Sequence, residues 1–139
     1  MLGIDLGCGS KKRPGFVGLD YVAAEGVDRV YDVSKDRLPF DDGTVDEVFS
    51  SHFLEHIENA PSVLQDIVRV GKPGARRDLD PYQKSNIAFL PGHVRYFNEV
   101  VWSHFCLEYP EMWFRDIEGM LRLDRFHYVV SKRTEETLG

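Results

Sequence analysis

Residues 3–10, GIDLGCGS, decide how the chain begins to fold. An apolar run from Leu2 to Leu6 holds Asp5 near its end and passes directly into Gly7-Cys8-Gly9. A short apolar run ahead of glycines reads as a buried strand entering a tight turn. Spacing then separates the kinds of glycine turn. A dinucleotide fingerprint needs a third glycine at position 12, where Lys12 stands, and a phosphate-cradling loop needs Gly-Lys-Ser/Thr, which the chain lacks. What remains is Asp5-x-Gly7-x-Gly9, whose glycines let a ligand lie against backbone where a Cβ would clash.

Further strands follow at short intervals. Phe16 to Asp20 forms the second, introduced by Pro14-Gly15, and Val27 to Asp32 the third; both end in a carboxylate. Asp41-Asp42-Gly43 marks a turn before a fourth strand over Val45 to Ser50. A helix is expected through HFLEHI and a longer one from Asn59, with Pro61 in its first turn. In the longer one Val63, Leu64, Ile67, Val68 and Val70 have helical spacing, and GKPG should end it. Ala75 to Asp80 occupies the place of a fifth strand, although ARRDLD is strongly charged for a central one. Pro81 to Gly92 is loop-like, and Asn98 can cap a helix whose Val101, Phe105 and Tyr109 share a face. Trp102 and Phe105 read as core. MWFRDI and DRFHYVV, separated by Gly119, read as an antiparallel pair at the sheet edge. The expectation is therefore an abbreviated, Rossmann-like α/β fold. Its sheet is doubly wound and mostly parallel, with a C-terminal antiparallel hairpin, in one domain over residues 1–139.

A carboxylate at a strand's C-terminal end can accept from both hydroxyls of a ribose, and open α/β sheets bind ligands in the crevice outside the strand ends. Asp20 and Asp32 thus suit a nucleoside carrying no phosphate. The 17 basic and 23 acidic residues give a net charge of −6. The basic runs Lys11-Lys12-Arg13, Arg76-Arg77 and Lys132-Arg133 are short and read as solvated. Nucleic acid is not an expected partner, since its binders gather cations on one face. Cys8 and Cys106 make no disulfide framework, no window has the apolar length of a membrane span, and the opening residues do not resemble a signal peptide. The expected location is the cytoplasm. A homo-oligomer is left open.

His52, Glu55 and His56 spell His-x-x-Glu-His, the mirror of a zinc-protease helix motif. A metal hydrolase would set both histidines on one long amphipathic helix and would need a further ligand downstream. Here the motif directly follows a strand whose end belongs to another binding site, so no metal is assigned.

Four pieces in order, GIDLGCGS, GFVGLD, RVYDVSKDRLPFDDGTVDEVFSSHFLEHI and VLQDIVRVGKPG, resemble the class I S-adenosylmethionine-dependent methyltransferases over residues 2–74. The nearest group is the small single-domain enzymes acting on small molecules or on glycan and lipid precursors. The resemblance implies S-adenosylmethionine as cofactor and a small-molecule acceptor. It sets Asp5, Gly7, Cys8 and Gly9 in the glycine motif and makes Asp20 the ribose-binding acid. Asp32 falls beside the adenine, with Val33 packing on the ring, while Ser51 and His52 fall near the methionine part. PGHVRYF, residues 91–97, resembles a segment lining the acceptor side, where His93, Arg95 and Tyr96 would meet an acidic or hydroxylated acceptor. If the acceptor must lose a proton, His52 or His93 is the candidate base. Three departures stand out. Only eleven positions separate Gly9 from Asp20, too few for the usual helix; N-terminal helices are missing ahead of the first strand; and GARRDLDP replaces an apolar fifth strand. A second reading, a nucleoside-binding protein that transfers nothing, follows from these departures. A zinc hydrolase through His52 and His56 is the third.

Overall fold

The computed structural model describes residues 1–81, 90–95, 97, 101 and 102. Among these residues five strands form one sheet: β1 (Gly3–Leu6), β2 (Val17–Asp20), β3 (Arg29–Val30), β4 (Val45–Ser51) and β5 (Gly71–Asp80), in the order β3-β2-β1-β4-β5. Every pairing is parallel. The chain winds outward from β1 to β3, returns to β4 and continues to β5, so the order reverses between β1 and β4. That reversal is where open α/β sheets place ligands. The expected antiparallel hairpin over 112–117 and 124–130 lies outside the described residues, as do Cys106 and most of the expected helix over 98–109.

Between β4 and β5 the chain makes one turn of 3-10 helix, Leu54–His56, and then α1, Ala60–Val70. Ala60, Val63, Leu64, Ile67 and Val70 are buried on one face of α1, joining Ile4, Leu6, Leu19, Val45 and Val48 of the sheet and Leu54. Each fully buried aliphatic side chain stabilises the fold by ~1.5–3 kcal/mol. Phe97 and Trp102 belong to this core too, stacked with ring centroids 5.3 Å apart. Among the described residues no helix is long and apolar enough to cross a membrane.

Several expectations shift. The HFLEHI helix shrinks to the single 3-10 turn. The third strand contracts to two exposed residues, because Asp32 instead turns the chain through bonds to the Ser34 amide and hydroxyl. Asn59 stands at the N-cap of α1, but its side chain donates to the Ser34 carbonyl at 3.1 Å. GKPG does not form a left-handed helix cap. Gly71 is extended and already pairs with Val45, and Lys72 to Ala75 bulge out before pairing resumes at Arg76 opposite Glu47. Pro73 has no amide hydrogen to donate to a ladder, and Gly74 takes φ +76°, so both belong in a bulge.

The charged fifth strand forms. Its register sets Arg76 against Glu47 and Asp78 against Phe49. Arg76 lies 3.7 Å from Glu47 and 3.6 Å from Asp78, while Arg13 reaches Asp78 at 3.5 Å. Opposite charges facing each other across strands stabilise pairing. Arg77 turns inward, where its guanidinium fills the space a Gly71 side chain would need.

No helix links β1 to β2, as the short spacing implied. Its place is taken by a loop that the basic residues fasten, so Lys12 and Arg13 are not the solvated charges expected of them. Lys12 pairs with Asp28 at 2.7 Å. The Arg13 guanidinium lies 5.0 Å from the Phe16 ring centre and 4.7 Å from that of Phe49.

Candidate functional site

The turn after β1 is built by backbone. Gly7 and Cys8 donate to the Leu19 carbonyl at 2.9 and 3.3 Å, and the Gly9 amide donates to Asp20 Oδ2 at 2.9 Å. Gly7 (φ +67°) and Gly9 (φ +51°) are left-handed, which glycine adopts without a Cβ penalty. The two differ in surroundings. A Cβ on Gly7 would lie 2.4 Å from the Phe53 ring, whereas one on Gly9 would meet nothing within 4 Å. Gly9 therefore offers bare backbone to open space beside Asp20.

Asp20, at the end of β2, also accepts from the Val22 amide at 3.1 Å through Oδ1. A carboxylate has about four lone-pair sites, so two acceptor positions remain for a diol. A small cleft beside it is lined by Gly7, Leu19, Asp20, Tyr31, Val33 and Phe53, with Asp32 at its rim. The Lys35 ammonium at 2.8 Å and the Ser34 hydroxyl hold the Asp32 carboxyl down to about 2. Asp5 is only 2% exposed and lies behind the turn, accepting from the Arg13 amide at 2.7 Å. Burial raises its pKa, against the lowering effect of that bond. Burial, then the Asp5 and Asp20 charges, push the Cys8 thiol up to about 11, so it stays protonated and serves packing.

Of the residues sequence reasoning singled out, Gly7, Asp20, Asp32 and Val33 meet at this cleft, Gly9 borders it, and Asp5 and Cys8 support it from behind. Leu19, Tyr31 and Phe53 were missed, as was Gly18. A Cβ on Gly18 would lie 2.7 Å from Cys8 Sγ, the Gly26 carbonyl and Lys12 Cδ. Glycine inside a strand is the signal that could have found it, since it marks close backbone approach.

A second group gathers beyond β4. Ser51 ends that strand, and His52 follows at φ +52°, a left-handed conformation uncommon outside glycine, with its amide bound to the Asp80 carbonyl at 2.7 Å. His52 Nδ1 lies 3.8 Å from the buried carboxylate of Glu55. The chain reverses at His52 instead of continuing as a helix, so His52 and His56 do not share a helical face and the zinc-helix reading fails on geometry. The 90–95 segment docks onto the same turn: the Val94 and Arg95 amides both donate to the Glu55 carbonyl, at 2.8 and 3.0 Å. His56 Nδ1 lies 2.9 Å from the Gly92 carbonyl, and the rings of His56 and His93 pack edge to face at 4.5 Å. The Arg95 guanidinium bonds the Glu58 carbonyl and so anchors the segment. Tyr96 lies outside the described residues.

Comparison with known proteins agrees with this arrangement. Residues 13–76 match a family model described as a methyltransferase domain. Over 79 residues the chain is 38% identical to the ubiquinone/menaquinone biosynthesis C-methyltransferase UbiE of Desulfotalea psychrophila, covering 53% of this chain and 31% of that protein. Two solved structures share the fold. The YcgJ protein of Bacillus subtilis superposes with a TM-score of 0.55 at 19% identity, over 73% of this chain and 57% of its own. A structure of the Haloferax volcanii Trm112 methyltransferase activator complexed with a methyltransferase gives 0.57 at 23%, over 74% and 57%. The chain thus spans about a third of that curated relative's length. The matched segment, residues 13–76, is thus similar to a methyltransferase domain, and both solved structures share the chain's fold.

Proposed function

We propose that this chain binds S-adenosylmethionine across the C-terminal ends of β1, β2 and β4 and takes part in methyl transfer to a small-molecule or glycan or lipid-precursor acceptor. The observation that carries the reading is the pairing of Gly9 with Asp20. Open backbone at Gly9 lies beside a carboxylate with spare acceptor positions, in a cleft at the point where strand order reverses. These residues fit the cofactor: Asp20 for the ribose hydroxyls, Tyr31 and Val33 for a flat ring, and the turn from Gly7 to Gly9 for close backbone approach.

The bound cofactor would supply a methyl group on a sulfonium, a good leaving group. The protein's share is then proximity and alignment, since holding reactants in line contributes as much as ~7–11 kcal/mol to lowering a barrier. Ser51 ends β4 and His52 follows it at the edge of this site. His52, fixed by the Asp80 carbonyl and set beside Glu55, is the candidate to accept a proton from the acceptor. The UbiE relative, a C-methyltransferase of ubiquinone and menaquinone biosynthesis, makes carbon atoms of quinone precursors the first acceptors to try.

Calorimetric titration with S-adenosylmethionine and its demethylated product tests the cofactor reading. Binding should be saturable, and Asp20→Ala should weaken it ten- to a hundred-fold, matching ~1.5–3 kcal/mol for charge-assisted hydrogen bonds. Unchanged affinity in a folded variant removes Asp20 from the site, and no binding by the folded parent protein overturns the proposal.

A further inference from the structure

Glu55, His56 and His93 each bring one donor atom to a common point, all three within 4.8 Å of one another. They come from two segments distant in sequence, the turn after β4 and the 90–95 stretch, and hydrogen bonds fasten these together on both sides of the trio. Glu55 is fully buried and His93 is 7% exposed, while His56 opens to solvent. We propose that this trio is a binding site for a divalent transition-metal ion, zinc being the donor set's best match.

Three observations support it. One carboxylate with two imidazoles is a recognised zinc donor set, and three protein ligands leave a fourth position for water or an acceptor oxygen. Ligating histidines commonly donate their second ring nitrogen to a backbone carbonyl. His56 Nδ1 lies 2.9 Å from the Gly92 carbonyl, a contact that fixes the ring and leaves Nε2 to coordinate. Finally, Glu55 is fully buried and His93 nearly so, which would shield a bound ion from water on two of its three protein ligands.

Zinc bonds of ~2.1 Å would set the donor atoms ~3.4 Å apart, so the ion would draw the trio in by about 1 Å. Glu55 and His93 take part in further interactions, which an ion would share or displace. The ligand set differs from the one His-x-x-Glu-His suggests. His52 is outside it, and Glu55, the presumed base of such a motif, is inside it. Phe53 and Ile57, which bracket Glu55 and His56 in sequence, line the cofactor cleft, so the ion would neighbour the proposed site of methyl transfer.

The test is a zinc chloride titration of the chelator-treated chain by calorimetry, with cobalt(II) absorption as a spectroscopic readout of coordination. One ion should bind per chain, and His56→Ala and His93→Gln should each weaken binding at least tenfold, while His52→Ala leaves it unchanged. Absence of binding, or equal affinity in the parent, His56→Ala and His93→Gln, overturns the site. An equal loss in His52→Ala overturns the ligand assignment. Should His93→Gln fail to fold, His56→Ala decides, because that side chain is exposed. Titration of His56→Ala with S-adenosylmethionine keeps the two readings apart, since cofactor affinity should not move.

Discussion

At φ +67° Gly7 sits where a side chain is strained, and a Cβ there would press on the Phe53 ring at 2.4 Å. Gly9 shares the strain at φ +51° but has no neighbour to meet. Strain of this kind costs ~1–3 kcal/mol. Gly7→Ala should therefore lose stability by more than Gly9→Ala, because only the first must also displace Phe53 from the cleft. Urea unfolding of the two variants measures the difference, and equal midpoints would show that Phe53 yields freely. Gly9→Ala should instead act on binding, since its methyl group would enter the space offered to the ligand. Much of this was readable in residues 3–20, because glycine and aspartate at fixed offsets carry their conformational and acceptor properties with them. Phe53 was not. Its role depends on how the chain leaves β4, and that departure rests on a left-handed histidine, a conformation that only a few per cent of non-glycine residues adopt.

At the scale of elements, α1 is legible because its apolar positions recur at helical spacing and all face one way. What attaches the preceding loop to it is less visible. Asp66, on α1, accepts from the Leu38 amide and from Arg69 Nε, and Arg69 reaches on to the Phe40 carbonyl at 2.9 Å, Asp42 at 2.7 Å and the Leu38 carbonyl at 3.0 Å. One i,i+3 pair thus ties residues 38–42 to the helix. Asp66→Ala should lower stability by ~1.5–3 kcal/mol in urea unfolding, since it strands the donors of Arg69 and Leu38. Ser62→Ala, on the exposed side of the same helix, should change it by less than ~0.5 kcal/mol. β5 shows the opposite difficulty. ARRDLD looks wrong for a strand on its own composition, and its charges make sense only beside Glu47 and Arg13, which sequence distance hides. Two departures from the family pattern, the charged strand and the loop in place of a helix, are thus coupled: Arg13 of the loop reaches Glu47 at 3.7 Å and Asp78 of β5 at 3.5 Å.

Over the whole molecule the paired carboxylates set the response to acid. The Lys12 ammonium and the Gly18 amide lower Asp28; Lys35 and Ser34 bring Asp32 to about 2; and Lys72 and the Leu2 amide lower Asp46. Burial pushes Asp66 up, but Arg69, the Leu38 amide and Arg37 outweigh it, and the net direction is down. A carboxylate whose folded pKa is depressed adds stability above its unfolded value, ~3.9, and that stability is lost as pH falls through the folded value. Asp5 works the other way: burial raises it, so protonation relieves a cost. Among the described residues four depressed carboxylates oppose one raised one, and the melting temperature should fall steadily from about pH 4 toward pH 2. The Lys pairs of Asp28, Asp32 and Asp46 reach the surface, so ~1 M salt should flatten their part of the fall. The Asp66 part should survive salt and vanish in Asp66→Ala, because Asp66 and Arg69 are mostly buried, with side chains 12% and 16% exposed. Melting curves across that range, with and without salt, check both components. A melting temperature that holds or rises down to pH 2 would mean that these pairs persist, or never formed, independently of charge. A fall that salt abolishes entirely would remove Asp66 from the acid response and leave it to the surface pairs.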